Sequence, residues 1–567
     1  MPGFVKLTTL YRCLTLLFCI VSLHGIVRGQ CTVSTRNYAN STQTNFTPLL
    51  ASVTNPNYAI DTDPSTASVL SSVITIGQVI TVTQFISFQT QITAGTPVTV
   101  KLGVPASLVS LLGGVTIQPF TGLQNNIFTG WQATAAGDPL TNTSLLGLIG
   151  GGGDVEITFT PKSGSTNVAY NGVWVTLSGV AIGQSLKVYD AYVMQTTPTA
   201  NACGPAIDVL SGVRAGGISL ANATGTVTTP TNAIDNDLTT AATLNVGAQV
   251  LSDVFLTAVF NSPSQPGDVV RILMTNPAGN NLLSLGALAN FTVQLYNGST
   301  AVGSPITSSS SGLLSLSLLT PPSASTQMYL DIKSLPTDPP FDRVDIQLGG
   351  LLSAGTSLSI YDIKRIPATP ITSMDGTVSS SKSVCQGNTS ALSVSNPQSS
   401  CTTYNWYSTA TGGTSLATGT SYTPPAANLT GTANTYYVEA SRTGCGEVSE
   451  RTPVTININP LPGITYSGTP RTCKGTTAAS IAYTPSNSPT TYSIVWDAPA
   501  ITAGFTNVTN ATLPPGTLTV TVPAGAAPNT YTGTITVKNG NGCLSTGAPF
   551  SVIVDDKPTS PVLTLAN

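Results

Sequence analysis

Apolar and polar residues alternate along Val155-Glu-Ile-Thr-Phe159 and again along Phe291-Thr-Val-Gln-Leu295. A period of two turns one side of the chain toward a core and the other toward solvent, so both stretches read as half-buried β-strands. Val173-Trp-Val-Thr-Leu177 has the same texture and leaves open whether Trp174 is buried or displayed. Near the start the pattern differs: Lys6 and Arg12 precede an apolar run from Leu14 to Leu23. That run is too short to stay across a bilayer and reads as a signal peptide over residues 1–29, with Val27 and Gly29 at the cleavage site and Gln30 as the new N-terminus. No later segment has the uninterrupted apolar length of a transmembrane helix. The expected location is secreted or cell-surface.

Composition sharpens the fold class. Charged residues make up only 8% of the chain against 41% hydrophobic, with 53 glycines and 40 prolines. β-branched residues separated by turn formers, with enough apolar surface for packed cores, predict an all-β chain of tandem β-sandwich domains. The net charge is −3 and the 20 basic residues are scattered singly, so no footprint for nucleic acid exists.

Seven cysteines follow the leader, and none has the spacing of a redox or zinc motif. Cys31 and Cys203 bracket the first long unit, and Cys473 and Cys543 bracket the last, so those two pairings are expected in an oxidising compartment. By analogy with the second pair, Cys385 is matched with Cys445, and Cys401 is able to replace either partner.

An internal repeat organises the N-terminal half. Asn57-Tyr-Ala-Ile-Asp-Thr-Asp-Pro-Ser-Thr-Ala67 matches Thr231-Asn-Ala-Ile-Asp-Asn-Asp-Leu-Thr-Thr-Ala241, 174 residues later counted from Asp61 to Asp235. Leu186-Lys-Val-Tyr-Asp190 likewise matches Leu358-Ser-Ile-Tyr-Asp362, 172 residues later. Two matched ends at nearly one offset mean two copies of one sandwich, at 30–203 and 204–370. The shared text A-I-D-x-D-x-[ST]-T, with an acidic residue in the final strand, resembles the discoidin-type galactose-binding jelly roll. Thr62 and Asn236 stand where that family has Gly, and Ser68 and Ala242 where it has Trp. The resemblance implies a structural calcium ion held by Asp61, Asp63, Thr66 and Asp190 in the first copy and by Asp235, Asp237, Thr240 and Asp362 in the second, since Ca²⁺ takes six to eight hard oxygens. Asx turns, in which the same carboxylates accept backbone N–H groups, are the other reading. Sugar binding, which the family also implies, needs exposed aromatic platforms. Trp131, in the loop-like Phe128-Thr-Gly-Trp-Gln132, is the candidate ligand contact, with core or edge packing as its alternative; the second copy has no Trp.

After residue 370 the texture changes. Ser383-Val-Cys-Gln-Gly-Asn-Thr389, Tyr404-Asn-Trp-Tyr407, Gly412-Gly-Thr414, Tyr422-Thr-Pro424 and Thr435-Tyr-Tyr-Val-Glu439 follow in an order that resembles the Ig-like repeats of large modular surface proteins of Bacteroidota. The resemblance makes 371–459 an Ig-like domain and Trp406 a core residue. Residues 460–556 resemble the PKD-like modules found beside such repeats, with Trp496 in the core, and Asn539-Gly-Asn-Gly542 supplies a tight turn. Residues 557–567 read as a linker and the start of a further strand, so a truncated module is expected there.

Catalytic chemistry is sparse. The single histidine, His24, lies in the leader, so no imidazole serves a triad or a metal. Gly150-Gly-Gly-Gly-Asp154 lacks the Lys and Ser/Thr of a phosphate loop and reads as a flexible turn. Glu439, Glu447 and Glu450 read as exposed charge in the Ig-like unit. The expectation is therefore no enzyme, but an adhesin or spacer whose partner is an extracellular glycan or surface protein. The rival is the non-catalytic carbohydrate-binding part of a larger polysaccharide-degrading protein.

Overall fold

The computed structural model describes residues 32–559 apart from 47–49, 73–79, 105–113, 142–151, 179–183, 199–205, 216–223, 247–251, 276–290, 308–326, 350–356, 399–400, 443–444 and 446. The expected leader and cleavage site, the Cys31 and Cys203 pairing and the partial strand after residue 561 fall outside the described residues. The chain is all-β and built from tandem sandwiches. It divides into two compact units, one of Met1–Thr369, Pro397–Tyr404 and Glu439–Glu450, the other of Pro370–Asn396, Asn405–Val438 and Arg451–Asn567.

In the first unit the earlier copy runs β1 (Thr32–Tyr38), β2 (Ser41–Phe46), β3 (Ala51–Thr54), β4 (Ser68–Ser72), β5 (Thr81–Ile92), β6 (Val98–Val104), β7 (Val115–Asn126), β8 (Gly130–Ala135) and β9 (Gly152–Phe159). A short hairpin, β10 (Lys162–Ser163) and β11 (Thr166–Asn167), precedes β12 (Tyr170–Ser178) and β13 (Gln184–Pro198). The later copy runs β14 (Ala206–Ala215), β15 (Gly225–Thr228), β16 (Ala242–Val246), β17 (Ser252–Phe260), β18 (Val269–Thr275), β19 (Thr292–Asn297), β20 (Thr300–Thr307), β21 (Met328–Lys333), β22 (Arg343–Gly349) and β23 (Ser357–Ile366).

Ten strands of each copy correspond in order, and the first copy adds β1, which pairs with β13, and the β10–β11 hairpin. One sheet of the first is β3-β4-β13-β6-β9 and of the second β15-β16-β23-β18-β21; the facing sheets are β2-β5-β12-β7-β8 and β14-β17-β22-β19-β20. Each copy fills the space between its sheets with its own apolar side chains, for example Val82, Ile86, Leu102, Val173 and Val175 in the first and Leu256, Ile272, Leu330, Val344 and Ile346 in the second. Along β12, Val173, Val175 and Leu177 take the core positions, as alternation requires. Trp174 therefore faces outward, where it stacks on Phe120 at 5.9 Å and meets Phe85 edge-on at 5.6 Å.

The cores are separate but the sheets are not. Gly152 and Gly153 of β9 pair with Val213 and Gly212 of β14, joining one sheet of each copy into a single eleven-stranded sheet. The glycine run expected to be a flexible turn thus ends in a strand. Its glycines serve close backbone approach, since a Cβ on Gly153 would lie 2.4 Å from the Ser211 carbonyl oxygen and one on Gly212 2.3 Å from that of Gly152.

The Ig-like stretch, which lies in the second unit apart from Pro397–Tyr404 and Glu439–Glu450, comprises β24 (Thr372–Met374), β25 (Thr377–Val378), β26 (Ser381–Cys385), β27 (Leu392–Val394), β28 (Thr402–Tyr407), β29 (Ala417–Thr418), β30 (Ser421–Tyr422), β31 (Ala433–Arg442) and β32 (Thr452–Asn459). Its sheets run β25-β24-β27-β30 and β26-β32-β31-β28-β29, with β26 parallel to β32. Trp406 is fully buried, its indole N–H donating to the Gly419 carbonyl at 3.0 Å. The last sandwich contains β33 (Gly463–Tyr466), β34 (Arg471–Cys473), β35 (Ala478–Ser486), β36 (Pro489–Trp496), α1 (Ala498–Thr502), β37 (Val508–Thr512), β38 (Thr517–Thr521), β39 (Asn529–Asn539) and β40 (Ala548–Asp555). Trp496 packs in its core against Phe505 and Phe550.

Two cysteine expectations are corrected. Cys385 pairs with Cys543 (Cα separation 5.5 Å), while Cys473 is a free, exposed thiol. Cys445 is not the partner of Cys385, and both Cys401 and Cys445 are disulfide-bonded. The bracketing reasoning failed because this bridge joins neighbouring modules instead of closing one. Cys385 ends β26 opposite Asn459, the last residue of β32, and Cys543 sits buried in the turn after β39 with its sulfur against the Asn459 carbonyl. Cys473, on β34, is instead paired in register with Asp555 at the sheet edge.

Candidate functional site

The two A-I-D-x-D segments adopt one conformation. Each follows a single 3-10 turn, Pro56–Ala59 or Pro230–Ala233, whose alanine is fully buried. Asp61 accepts the Asp63 N–H at 3.0 Å and the Thr66 hydroxyl at 2.7 Å, while Asp63 accepts the Ser65 N–H at 2.9 Å and its hydroxyl at 2.6 Å. In the second copy Asp235 accepts from Asp237 and Thr240 at 2.8 and 2.7 Å, and Asp237 from the Thr239 N–H and hydroxyl at 2.9 and 2.6 Å. Thr62 and Asn236 take left-handed φ values of 62° and 64°, a conformation that residues with a side chain adopt uncommonly. These bonds are Asx turns. Hydroxyl and N–H donors hold Asp63 and Asp237 below the ordinary carboxylate range.

Asp190 and Asp362 also occupy equivalent places. Each follows a one-residue bulge, at Tyr189 or Tyr361, in the pairing of the last strand with β6 or β18. Their surroundings differ: Asp362 forms an ion pair with Lys364 at 2.8 Å, whereas Asp190 is buried beside Lys101, its cross-strand partner, with an Oδ1 that meets no donor. Burial, reinforced by nearby Asp208, pushes Asp190 up to about 7. Among the described residues, no three His, Cys, Asp or Glu side chains gather as a metal site.

The densest chemistry lies where the copies join, and sequence reading missed it. Asp190, Lys101 and Glu156 form one row across β13, β6 and β9. Arg36 of β1 bonds Glu156 at 2.7 Å and Asp208 of β14 at 2.8 Å. Lys101 contacts the other oxygen of Asp208, and Arg343 of β22 bonds Glu156 at 3.0 Å. Among the described residues, three ion pairs thus cross from one copy to the other. Tyr192 donates to Glu156 at 2.9 Å and lies under the Arg36 guanidinium, and Tyr189 lies under the Lys101 ammonium. Burial opposes ionisation of Glu156, yet Arg36 and Arg343 hold its carboxyl down to about 2. Buried ions need such pairing, because each costs several kcal/mol to desolvate. A signal was available: in a chain with 8% charge, Lys101 stands inside Val98-Thr-Val-Lys-Leu-Gly-Val104, a strand buried along both faces.

A second buried network in this unit centres on Asp268. Arg442 grips both of its oxygens at 2.7 Å, and both side chains are fully buried. Nearby, Arg271 pairs with Asp331 at 2.8 Å and approaches Glu447 and Glu450. Glu439, expected exposed, is buried.

Trp131 lies on β8, partly buried, and its main chain is clamped by Asn45, which donates to the Trp131 carbonyl and accepts its N–H at 2.5 and 3.0 Å. Beside it, Gln124, Asn125, Asn126, Gln132 and Thr134 line an uncharged groove of about 310 Å³. At the tip of the same hairpin, Ile127 and Phe128 are each 88% exposed.

Comparison with known proteins places the later part of the chain in context. Residues 372–460 match a family model described as an Ig-like domain, CHU_C associated. No curated protein matches the chain. Among solved structures, the fibronectin(III)-like modules of Clostridium thermocellum CbhA are similar at 14% identity, over 33% of this chain and 94% of that one, with a TM-score of 0.20. Titin domains I67–I69 align at 9% identity over 54% of this chain and 93% of theirs (TM-score 0.19), and a β-1,2-glucanase from Parabacteroides distasonis at 10% over 62% and 37% (TM-score 0.20). The chain is a modular β-sandwich protein that contains an Ig-like domain. No helix among the described residues is long and apolar enough to cross a membrane.

Proposed function

We propose that this chain is a non-enzymatic, secreted surface adhesin or spacer of the kind found in large Bacteroidota surface proteins, with the last sandwich acting as a PKD-like module. The observation that carries this reading is where the buried chemistry is spent. Lys101, Arg36, Glu156, Asp208 and Arg343 pair with one another across the join of two sandwiches, and a disulfide ties the Ig-like module to the next. Groups so fully paired hold modules in register, as a load-bearing or display role requires, and are not free to act on a substrate. Protein or glycan partners of a surface are the expected ligands.

The second reading, a carbohydrate-binding part of a larger polysaccharide-degrading protein, is favoured by the amide-lined groove beside Trp131. Binding assays of the full chain on immobilised neutral polysaccharides and on cell-surface protein extracts separate the two. Saturable polysaccharide binding lost in Gln132→Ala supports the second reading. Adhesion to surfaces that survives Gln132→Ala supports the first, and absence of any surface or glycan retention removes the adhesin reading.

A further inference from the structure

We propose that Lys101 and Asp208 are the two halves of an intramolecular amide crosslink that joins the two sandwich copies covalently. Three ion pairs cross this seam, and two of them use guanidinium groups, which are poor nucleophiles. The third brings a lysine amine, fully buried, into direct contact with a carboxylate that is 2% exposed. Lys101 is the first copy's contribution, from β6, and Asp208 the second's, from β14. No equivalent pair exists within the second copy, where Leu273 stands opposite Asp362 as Lys101 stands opposite Asp190.

The groups around the pair suit amide formation. Arg36 bonds Oδ2 of Asp208 at 2.8 Å and steadies the charge that this oxygen carries when nitrogen adds to Cγ. The Val209 N–H bonds Oδ1 at 2.8 Å and fixes the carboxylate plane. Asp190, the cross-strand partner of Lys101, is a further buried carboxyl in this row, with an Oδ1 that meets no donor, so it does not compete with Asp208 for the Lys101 ammonium. Tyr189 covers the amine, its ring centroid 4.5 Å from Nζ, and Glu156 is occupied by Arg36, Arg343 and Tyr192.

The step balances without any co-reactant. The Lys101 nitrogen passes one proton to the Asp208 oxygen it contacts, Oδ1, and its lone pair forms the bond to Asp208 Cγ. The bond from Cγ to Oδ1 then breaks. Oδ1 takes two protons in all, both from the original ammonium that touches it, and leaves as water. An ammonium and a carboxylate become one secondary amide and one water. Folding supplies the proximity that a bimolecular reaction lacks, and a neutral amide replaces a buried ion pair whose charges are costly to desolvate.

The decisive experiment is intact-mass measurement of the folded full chain after denaturation and reduction, followed by proteolytic peptide mapping. The expected mass is one water below that of the chain it comes from, with a branched peptide linking the segments that contain Lys101 and Asp208. Lys101→Arg and Asp208→Ala should each restore the full mass. A wild-type chain of full mass that yields linear peptides with unmodified Lys101 and Asp208 overturns the proposal, as does a water loss mapped elsewhere. The wild-type result decides the question even if a variant fails to fold.

Discussion

Gly153 and Gly212 face each other across the join of the two copies so closely that a Cβ on either would lie within 2.7 Å of the other's Cα. Gly153 also takes a φ of 134°, which residues with a side chain rarely adopt. Gly212→Val is therefore expected to part β9 from β14 and to destabilise the first unit by about 2 kcal/mol, the usual cost of overpacking. Thermal melting and protease cleavage between the copies read this out. Unchanged melting would mean that the sheet continuity adds nothing.

Glu156 sets a pH dependence. Its carboxyl titrates at about 2 in the folded chain against an ordinary 4.5, so its stabilising contribution is complete above 4.5 and is lost as the pH falls toward 2. Glu156→Gln should cost about 3 kcal/mol at neutral pH, because it strips a buried partner from Arg36 and Arg343. The gap between variant and wild type should close progressively between pH 4.5 and pH 2. Denaturant melts at stepped pH measure it, and a gap that stays constant with pH would contradict the assignment.

The Cys385 and Cys543 bridge spans 158 residues of sequence, and the chain-entropy model assigns about 5 kcal/mol to a loop of that length. Cys385→Ser should lower the unfolding midpoint of the second unit strongly, whereas Cys473→Ser should change stability by less than about 0.5 kcal/mol. In the folded chain a thiol reagent should label Cys473, and Cys385 and Cys543 only after reduction. Prompt labelling of either without reductant would refute the pairing.

The Asx turns already use the carboxylates of Asp61 and Asp63. Asp63→Ala removes two hydrogen bonds at an exposed turn and should cost about 1 kcal/mol, equally in calcium and in chelator. Asp237→Ala should likewise have the same effect in calcium as in chelator in the second copy. A melting temperature that rises with calcium in the wild type and not in these variants would establish the metal reading instead.

Much of the fold was legible in sequence because the governing patterns are local. Alternation marked Val173 to Leu177 as a strand without saying which face is buried, and the matched text around Asp61 and Asp235 led to two copies whose shared strands correspond in order. The bulge before Asp190 and Asp362 was present in the shared L-x-[VI]-Y-D text, though only its recurrence was visible. The join was illegible because it depends on which edges of two sandwiches meet, a property of packing across more than a hundred residues. Asp208 carries no local mark that sets it apart from a surface aspartate; only the contact with Arg36 and Lys101 does. The cysteines misled for a related reason, since a pair bracketing one module was taken to close that module, whereas Cys385 and Cys543 join two.

Two neighbouring sandwiches with one strand order invite misassembly, in which a strand of one copy completes the sheet of the other. Their separate apolar cores offer little protection, because Val, Ile and Leu are interchangeable at most positions. The charges at the join are not. A strand carrying Lys101 in the place of β18 would stand where Leu273 normally does, away from Asp208 and Arg36, and would bury an unmatched ammonium. The asymmetry between Lys101 and Leu273 thus acts as a proofreading element during folding, penalising the exchanged arrangement and favouring the one in which Lys101, Arg36, Glu156 and Asp208 are paired.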